Sequence, residues 1–208
     1  MSAIPLCRLS LRRWLARIAG AIALCCVLAS TAPARAEPQF VTTTGDLKRE
    51  SWWLIAEFHP FTTQVRGIPA GQINSSWCKA TEFRRDLVPQ ALLRQDGVDG
   101  MAAAKLSFAV EGRFDGSATK QVALVGVYQE CAGAKGRFLL ILDQGEGGRP
   151  PKVRFVDAER TAHQFGALSV TGGKSIVMTS CMECDSGAIV KWNARARRFA
   201  WVRSKGDD

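Results

Sequence analysis

Cys78, Cys131, Cys181 and Cys184 are the residues whose type and spacing promise most chemistry, and the last two fall in the run Cys181-Met182-Glu183-Cys184-Asp185-Ser186-Gly187. Two cysteines separated by two residues serve as a redox pair, as half of a zinc site, or as a clip across a turn. A reactive pair usually opens a helix, where the dipole favours the thiolate. Here SIVMTS precedes and GAIVKW follows, both strand-like, and the Glu183 carboxylate opposes thiolate formation. A structural zinc site would have to recruit Cys78 and Cys131, which lack the paired spacing. The expectation is therefore disulfides and no metal. Three connectivities are open: Cys181 with Cys184 across the turn, Cys131 with Cys184 while Cys78 meets Cys181, or the remaining pairing. His59 and His163 stand far apart and read as packing or surface residues. No Gly-x-Ser-x-Gly elbow, phosphate loop or HExxH motif occurs, so the sequence nominates no catalytic residue and implies no cofactor.

These cysteines gain meaning from the first 36 residues. Arg8, Arg12, Arg13 and Arg17 come without an acid, an apolar run follows from Ile18 to Ala32, and Ala34-Arg35-Ala36 closes the segment. A basic start, an apolar stretch of about 15 residues and a small-x-small site form a secretory signal peptide, with cleavage expected before Glu37. A retained membrane helix would need roughly 20 apolar residues, so no integral membrane segment is expected after cleavage. Cys7, Cys25 and Cys26 leave with the signal, and an even set of four remains for an oxidising compartment, the periplasm or cell exterior. Five arginines also leave, which takes the formal charge of +9 to about +4. Such mild basicity, spread along the chain, is no nucleic-acid footprint. The basic C-terminal stretch of Lys191, Arg195, Arg197, Arg198, Arg203 and Lys205 reads as a solvated hairpin face.

The elements that must position these residues are short. The pattern predicts strands over 52–58, 105–110, 122–128, 137–142, 153–156, 175–179, 188–192 and 198–202, each rich in Val, Ile, Phe or Trp and bounded by turn residues. Helical periodicity is confined to 86–94 and 99–105. The fold class is mostly β, with antiparallel sheets in an incomplete propeller-like or sandwich arrangement and one or two short helices. A single β-rich domain is expected over 37–208, with a less regular part over 37–101 and a repeat-like part over 102–208. The segment GIPAGQINSSWCKATEF alternates too little to assign. Trp52, Trp53 and Trp77 are expected as core anchors rather than a ligand cage. The acids Asp143, Glu146, Asp157 and Glu159 surround the Gly-Pro segment QGEGGRPP and are expected to be solvated.

Two stretches, LVGVYQECAG from 124 and VMTSCMECDS from 177, align with Glu130-Cys131 over Glu183-Cys184, a repeat at an offset of 53 residues. The stretch EGRFDGSATKQVALVGVY, residues 111–128, resembles the FG-GAP or VCBS repeat of integrin-like propellers and many exported bacterial proteins. In that motif an acidic loop, usually calcium-binding, precedes a strand of the Leu-Ala-Val-Gly kind. Carried onto this chain, the ligand positions fall on Arg113, Asp115, Ser117 and near Gln121. One carboxylate beside Arg113 and Lys120 is a poor match for calcium, which takes about six to eight oxygen ligands. The resemblance thus implies a degenerate loop in which a cation of the protein itself, Lys120 foremost, replaces the metal.

Two functional readings follow. The first is an exported, non-enzymatic binding or interaction module whose partner is an unknown protein or envelope component. The second is a thiol-disulfide redox accessory that uses Cys181 and Cys184. Composition and spacing do not address oligomeric state.

Overall fold

Two apolar runs, residues 122–128 and 138–142, form the two central strands, and the other described elements are arranged around them. A computed structural model describes residues 39–95, 98–145, 150–184 and 187–202. The expected signal segment, Glu146, Arg203 and Lys205 lie outside them. The described residues form one compact unit.

Strands β1 (Val41–Thr43) and β2 (Ala56–Phe58) pair antiparallel. Two-residue ladders follow, β3 (Gln64–Val65) with β4 (Ile68–Pro69), and, after β5 (Trp77–Glu82), β6 (Arg94–Gln95) with β7 (Val98–Asp99). Then come β8 (Ala109–Gly112), β9 (Gln121–Glu130), β10 (Lys135–Asp143) and β11 (Lys152–Glu159). The chain closes with a four-stranded meander, β12 (Ala167–Thr171), β13 (Ser175–Thr179), β14 (Ala188–Asn193) and β15 (Arg198–Trp201). Four helices of four residues each, Trp52–Ile55, Ala70–Ile73, Gln90–Leu93 and Gly100–Ala103, complete the described elements.

The larger sheet runs β11-β10-β9-β5, and β8 shares the free edge of β9 with β5: β8 pairs with Gln121–Leu124 and β5 with Gly126–Glu130. A continuous apolar run suits a strand buried on both faces, and β9 and β10 are covered twice. Ala123, Val125, Val127, Leu139 and Ile141 share one core with Leu168, Ile176, Val190 and Phe199 of the meander and with Phe40, Trp52 and Phe58. On the opposite face Val122, Leu124, Tyr128, Phe138 and Leu140 pack beneath Val65, Ile73 and Trp77, with Trp77 stacked on Tyr128 at 4.5 Å. The two sheets therefore pair as a sandwich, tied at one side by a bridge between Ser107 and Leu168. Gly126 is required here by close approach: a Cβ would lie 2.4 Å from the Thr81 carbonyl and 2.6 Å from the Phe138 ring.

The expected mostly β, antiparallel class holds. The sequence underestimates the number of helices, because a single turn of four residues leaves no periodic signature. WWLIAEF is half helix and half strand, since Trp52, Trp53 and Ile55 bury together as a turn before the chain extends at Ala56. The strand predicted over 105–110 begins only at Ala109. The unassigned segment contains β5, and β12 lies outside the predicted strands. Trp52, Trp53 and Trp77 are buried as expected.

Candidate functional site

Two β-bulges place the chain's most constrained side chains. On β5, Trp77 faces Glu130 and Lys79 faces Gln129, so Cys78 is the extra residue. A bulge re-aims the residue it inserts, and Cys78 is bonded to Cys131, just past the end of β9, with Cα atoms 4.9 Å apart. The second pair is Cys181 with Cys184. Of the three open connectivities the structure thus adopts Cys78–Cys131 and Cys181–Cys184. The pairing of Cys131 with Cys184, and of Cys78 with Cys181, is set aside because the two turns belong to different sheets. The Cys181–Cys184 clip closes the turn between β13 and β14, where the Thr179 hydroxyl donates to the Cys181 carbonyl and accepts from its N–H.

The other bulge lies on β11. Ile141 faces Phe155 and Leu142 faces Val153, which leaves Arg154 as the inserted residue. Its Nη1 donates to both Asp143 oxygens at 2.8 Å, its Nη2 donates to Asp115 Oδ2 at 3.2 Å, and its guanidinium carbon lies 5.2 Å from the centre of the Trp192 ring. Gln121, fully buried, donates through Nε2 to Asp115 Oδ1 at 3.0 Å and to Asp143 Oδ1 at 3.3 Å, and accepts from the Phe114 N–H at 2.8 Å. The Ser117 N–H also donates to Asp115 Oδ1, at 2.9 Å. Burial opposes ionisation of Asp115, but the bonds from Ser117 and Gln121 and the charge of Arg154 prevail and hold its carboxyl below the usual range. Of the residues singled out for this loop, Asp115 and Gln121 converge, whereas Arg113, Ser117 and Lys120 are exposed. The cation that the loop holds is Arg154 and not Lys120, because the bulge carries a rigid fork into the site while the Lys120 side chain faces solvent. Asp143, expected to be solvated, is one of its anchors. Among the described residues no cluster of three potential metal-ligating His, Cys, Asp or Glu side chains occurs.

A different place offers room for a ligand. At the end of the sandwich that carries the Cys181–Cys184 turn, the sheets part to leave a cavity of about 380 Å³. Arg137 of β10, Asp157 and Glu159 of β11, Ser180 past β13, Ala188 of β14 and Trp201 of β15 line it. Register explains their convergence: Arg137 faces Glu159 and Leu139 faces Asp157, so both carboxylates project on the side that meets the meander. Arg137 is largely consumed, with Nε and Nη2 on Glu159 Oε2 at 3.0 and 2.7 Å and Nη1 on the Phe165 carbonyl at 2.9 Å. Among the described residues Asp157 has no hydrogen-bond or ion-pair partner, Glu159 Oε1 is unengaged, and the exposed Ser180 hydroxyl is unengaged. Trp201, half-buried, sets its edge against Phe155 with ring centres 6.2 Å apart. Sequence reading misses this groove: Asp157 and Glu159 are seen as acids, but their alignment at period two along an edge strand is the signal that would have placed them on one face.

An apolar cavity of about 390 Å³ lies beside the same turn, lined by Trp52, Trp53, Leu92, Leu93 and Met182, with Glu183 also on its wall. The buried Trp52 Nε1 has no hydrogen-bond partner among the described residues, and its ring meets Trp53 and Phe165 edge-on. His59, by contrast, is tied to Thr42 at 2.9 Å.

No family model, curated protein or solved structure matches this chain.

Proposed function

We propose that this chain is an exported, non-enzymatic β module that binds a protein or envelope component in the groove between β10–β11 and β13–β15. The observation that carries this reading is the distribution of unengaged polar groups. Asp115, Glu130 and Asp143 are spent on Arg154 and Arg160, whereas among the described residues Asp157, Glu159 Oε1 and Ser180 of the groove have no partner and stand beside an aromatic ring. Concave sites of roughly 300–1,000 Å³ with a few convergent polar groups are the usual form of a binding site. Export is supported by the N-terminal segment and by cysteines paired as disulfides, which persist in oxidising compartments. Within this reading, residues 111–128 are a degenerate FG-GAP or VCBS-type unit that has exchanged calcium for Arg154.

The alternative, a thiol-disulfide accessory, is favoured by one observation: Cys184 is exposed and Met182, inside the same clip, lines the apolar cavity.

Occluding the groove separates the readings. Ala188 is exposed on its wall, so Ala188→Trp fills the space from a strand end that tolerates a larger side chain. Immobilised wild-type protein is expected to retain a component of the envelope fraction of its source that the Ala188→Trp protein, equally stable, does not retain. Equal retention by both proteins would remove the groove as the binding site.

A further inference from the structure

We infer that the ligand of this groove is a saccharide, a polyhydroxylated ring held against Trp201 with its hydroxyl hydrogens donated to Asp157, Glu159 and Ser180. The inference rests on the binding reading given above and names the chemistry of what is bound. It follows from the kinds of atoms left unengaged. Both oxygens of Asp157 and Oε1 of Glu159 are acceptors only, and the Ser180 hydroxyl adds a group of either sense. The one charged donor among the described lining residues, Arg137, is already used on Glu159 and the Phe165 carbonyl. A ligand must therefore be rich in donors. Among the described residues the lining sets two carboxylates against one guanidinium, an excess of negative charge that repels anions and accepts neutral or amine-bearing molecules.

The remaining wall selects further. Trp201 is half-buried and braced edge-on by Phe155, so it presents a rigid aromatic surface at little cost in ordering. Together with the partly buried Met178, it adds apolar surface to a groove that also carries the carboxylates. An acyl chain would leave the carboxylates unsatisfied, and burying an unpaired polar group is costly. A linear polyamine would satisfy the carboxylates but cover only part of the ring. A sugar ring has both surfaces, hydroxyls around its rim and C–H groups on its faces, and it matches such a groove. Free oligosaccharide and the glycan of an envelope polymer share this chemistry.

Titration calorimetry of the full chain with four probes tests the assignment: cellohexaose, hexa-N-acetylchitohexaose, deacetylated chitohexaose and oligogalacturonate. Saturable binding is expected for at least one of the first three, at least ~10-fold tighter than for the anionic oligogalacturonate. Asp157→Asn, a near-isosteric change at a partly buried position of an edge strand, and Trp201→Ala are each expected to weaken that binding by ~10-fold, a change of about 1.4 kcal/mol. Asp157→Asn keeps the test valid if Trp201→Ala fails to fold. Tighter binding of oligogalacturonate, or binding that neither variant weakens, overturns the inference. If no saccharide binds while Ala188→Trp still abolishes retention of envelope material, the saccharide assignment falls and the groove reading stands. If Ala188→Trp abolishes nothing, both fall.

Discussion

Arg154 holds Asp115, Asp143 and Trp192 together from one bulged position, so its removal is the sharpest test of this cluster. With 22% of its side chain exposed against 5% for Asp115 and 19% for Asp143, the cluster is mostly shielded from water. Removing one partner of a buried pair leaves an uncompensated charge, and Arg154→Ala should cost about 3 kcal/mol at pH 7, read from the midpoint of urea unfolding. The sign of its pH dependence follows from Asp115. A carboxyl whose folded pKa lies below its ordinary value contributes stability that is full above about 3.8 and is lost as pH falls through the folded value. Without Arg154 that contribution disappears, so the gap between wild type and variant should be widest near neutrality and narrow below about pH 4. A gap that stays constant with pH, or a cost under about 0.5 kcal/mol, would mean that the guanidinium is solvated in solution.

Legibility at this scale divides by cause. Asp115 and Gln121 stand out because the motif spacing names them. Arg154 does not, because only the β11 bulge between Val153 and Phe155, opposite Ile141 and Leu142, turns it inward, and a one-residue insertion in a ladder leaves no mark on the apolar pattern.

At the level of elements, the disulfides do unequal work. Cys78–Cys131 closes a loop with a sequence separation of 53 and fastens β5 to the end of β9, whereas Cys181–Cys184 spans a separation of 3 within one turn. In the chain-entropy view the longer bridge is worth about 4 kcal/mol and the shorter about 2. Replacing Cys78 and Cys131 together with alanine should therefore lower stability by roughly twice as much as replacing Cys181 and Cys184. Under the binding reading the second double variant keeps groove-dependent retention. If it instead abolishes a thiol-exchange activity while stability is unchanged, the redox alternative takes precedence. The strands that carry these bridges were legible in proportion to their burial. Strands β9 and β10, covered on both faces, announce themselves as apolar runs, as does β13. By contrast β5, which mixes Lys79 and Glu82 with Trp77 and Ala80, is extended because β9 offers it a free edge and a cysteine, and that cause is tertiary.

For the molecule as a whole, the sandwich decides where binding can happen. Its ends differ: one is sealed by Arg154 bridging Asp143 and Trp192, the other opens between β11 and β15 into the groove. The exposed Lys191, Arg195, Arg197 and Arg198 lie on the β14–β15 hairpin as a solvated face, apart from the negative groove. Nothing in composition could have told the two ends apart, since both are built from Arg with Asp or Glu and an aromatic ring. The difference lies in which of those charges are already paired.

Hydrogen–deuterium exchange, measured by mass spectrometry on the protein alone and loaded with the retained envelope component, tests this account most directly. Protection is predicted in the segments around Arg137, Asp157–Glu159, Thr179–Ser180, Ala188 and Trp201, with the bulk of β5 and the loop at Asp115 unchanged. Protection centred on Trp53, Leu92 and Met182, with the groove segments unchanged, would place the binding site in the apolar cavity and contradict it.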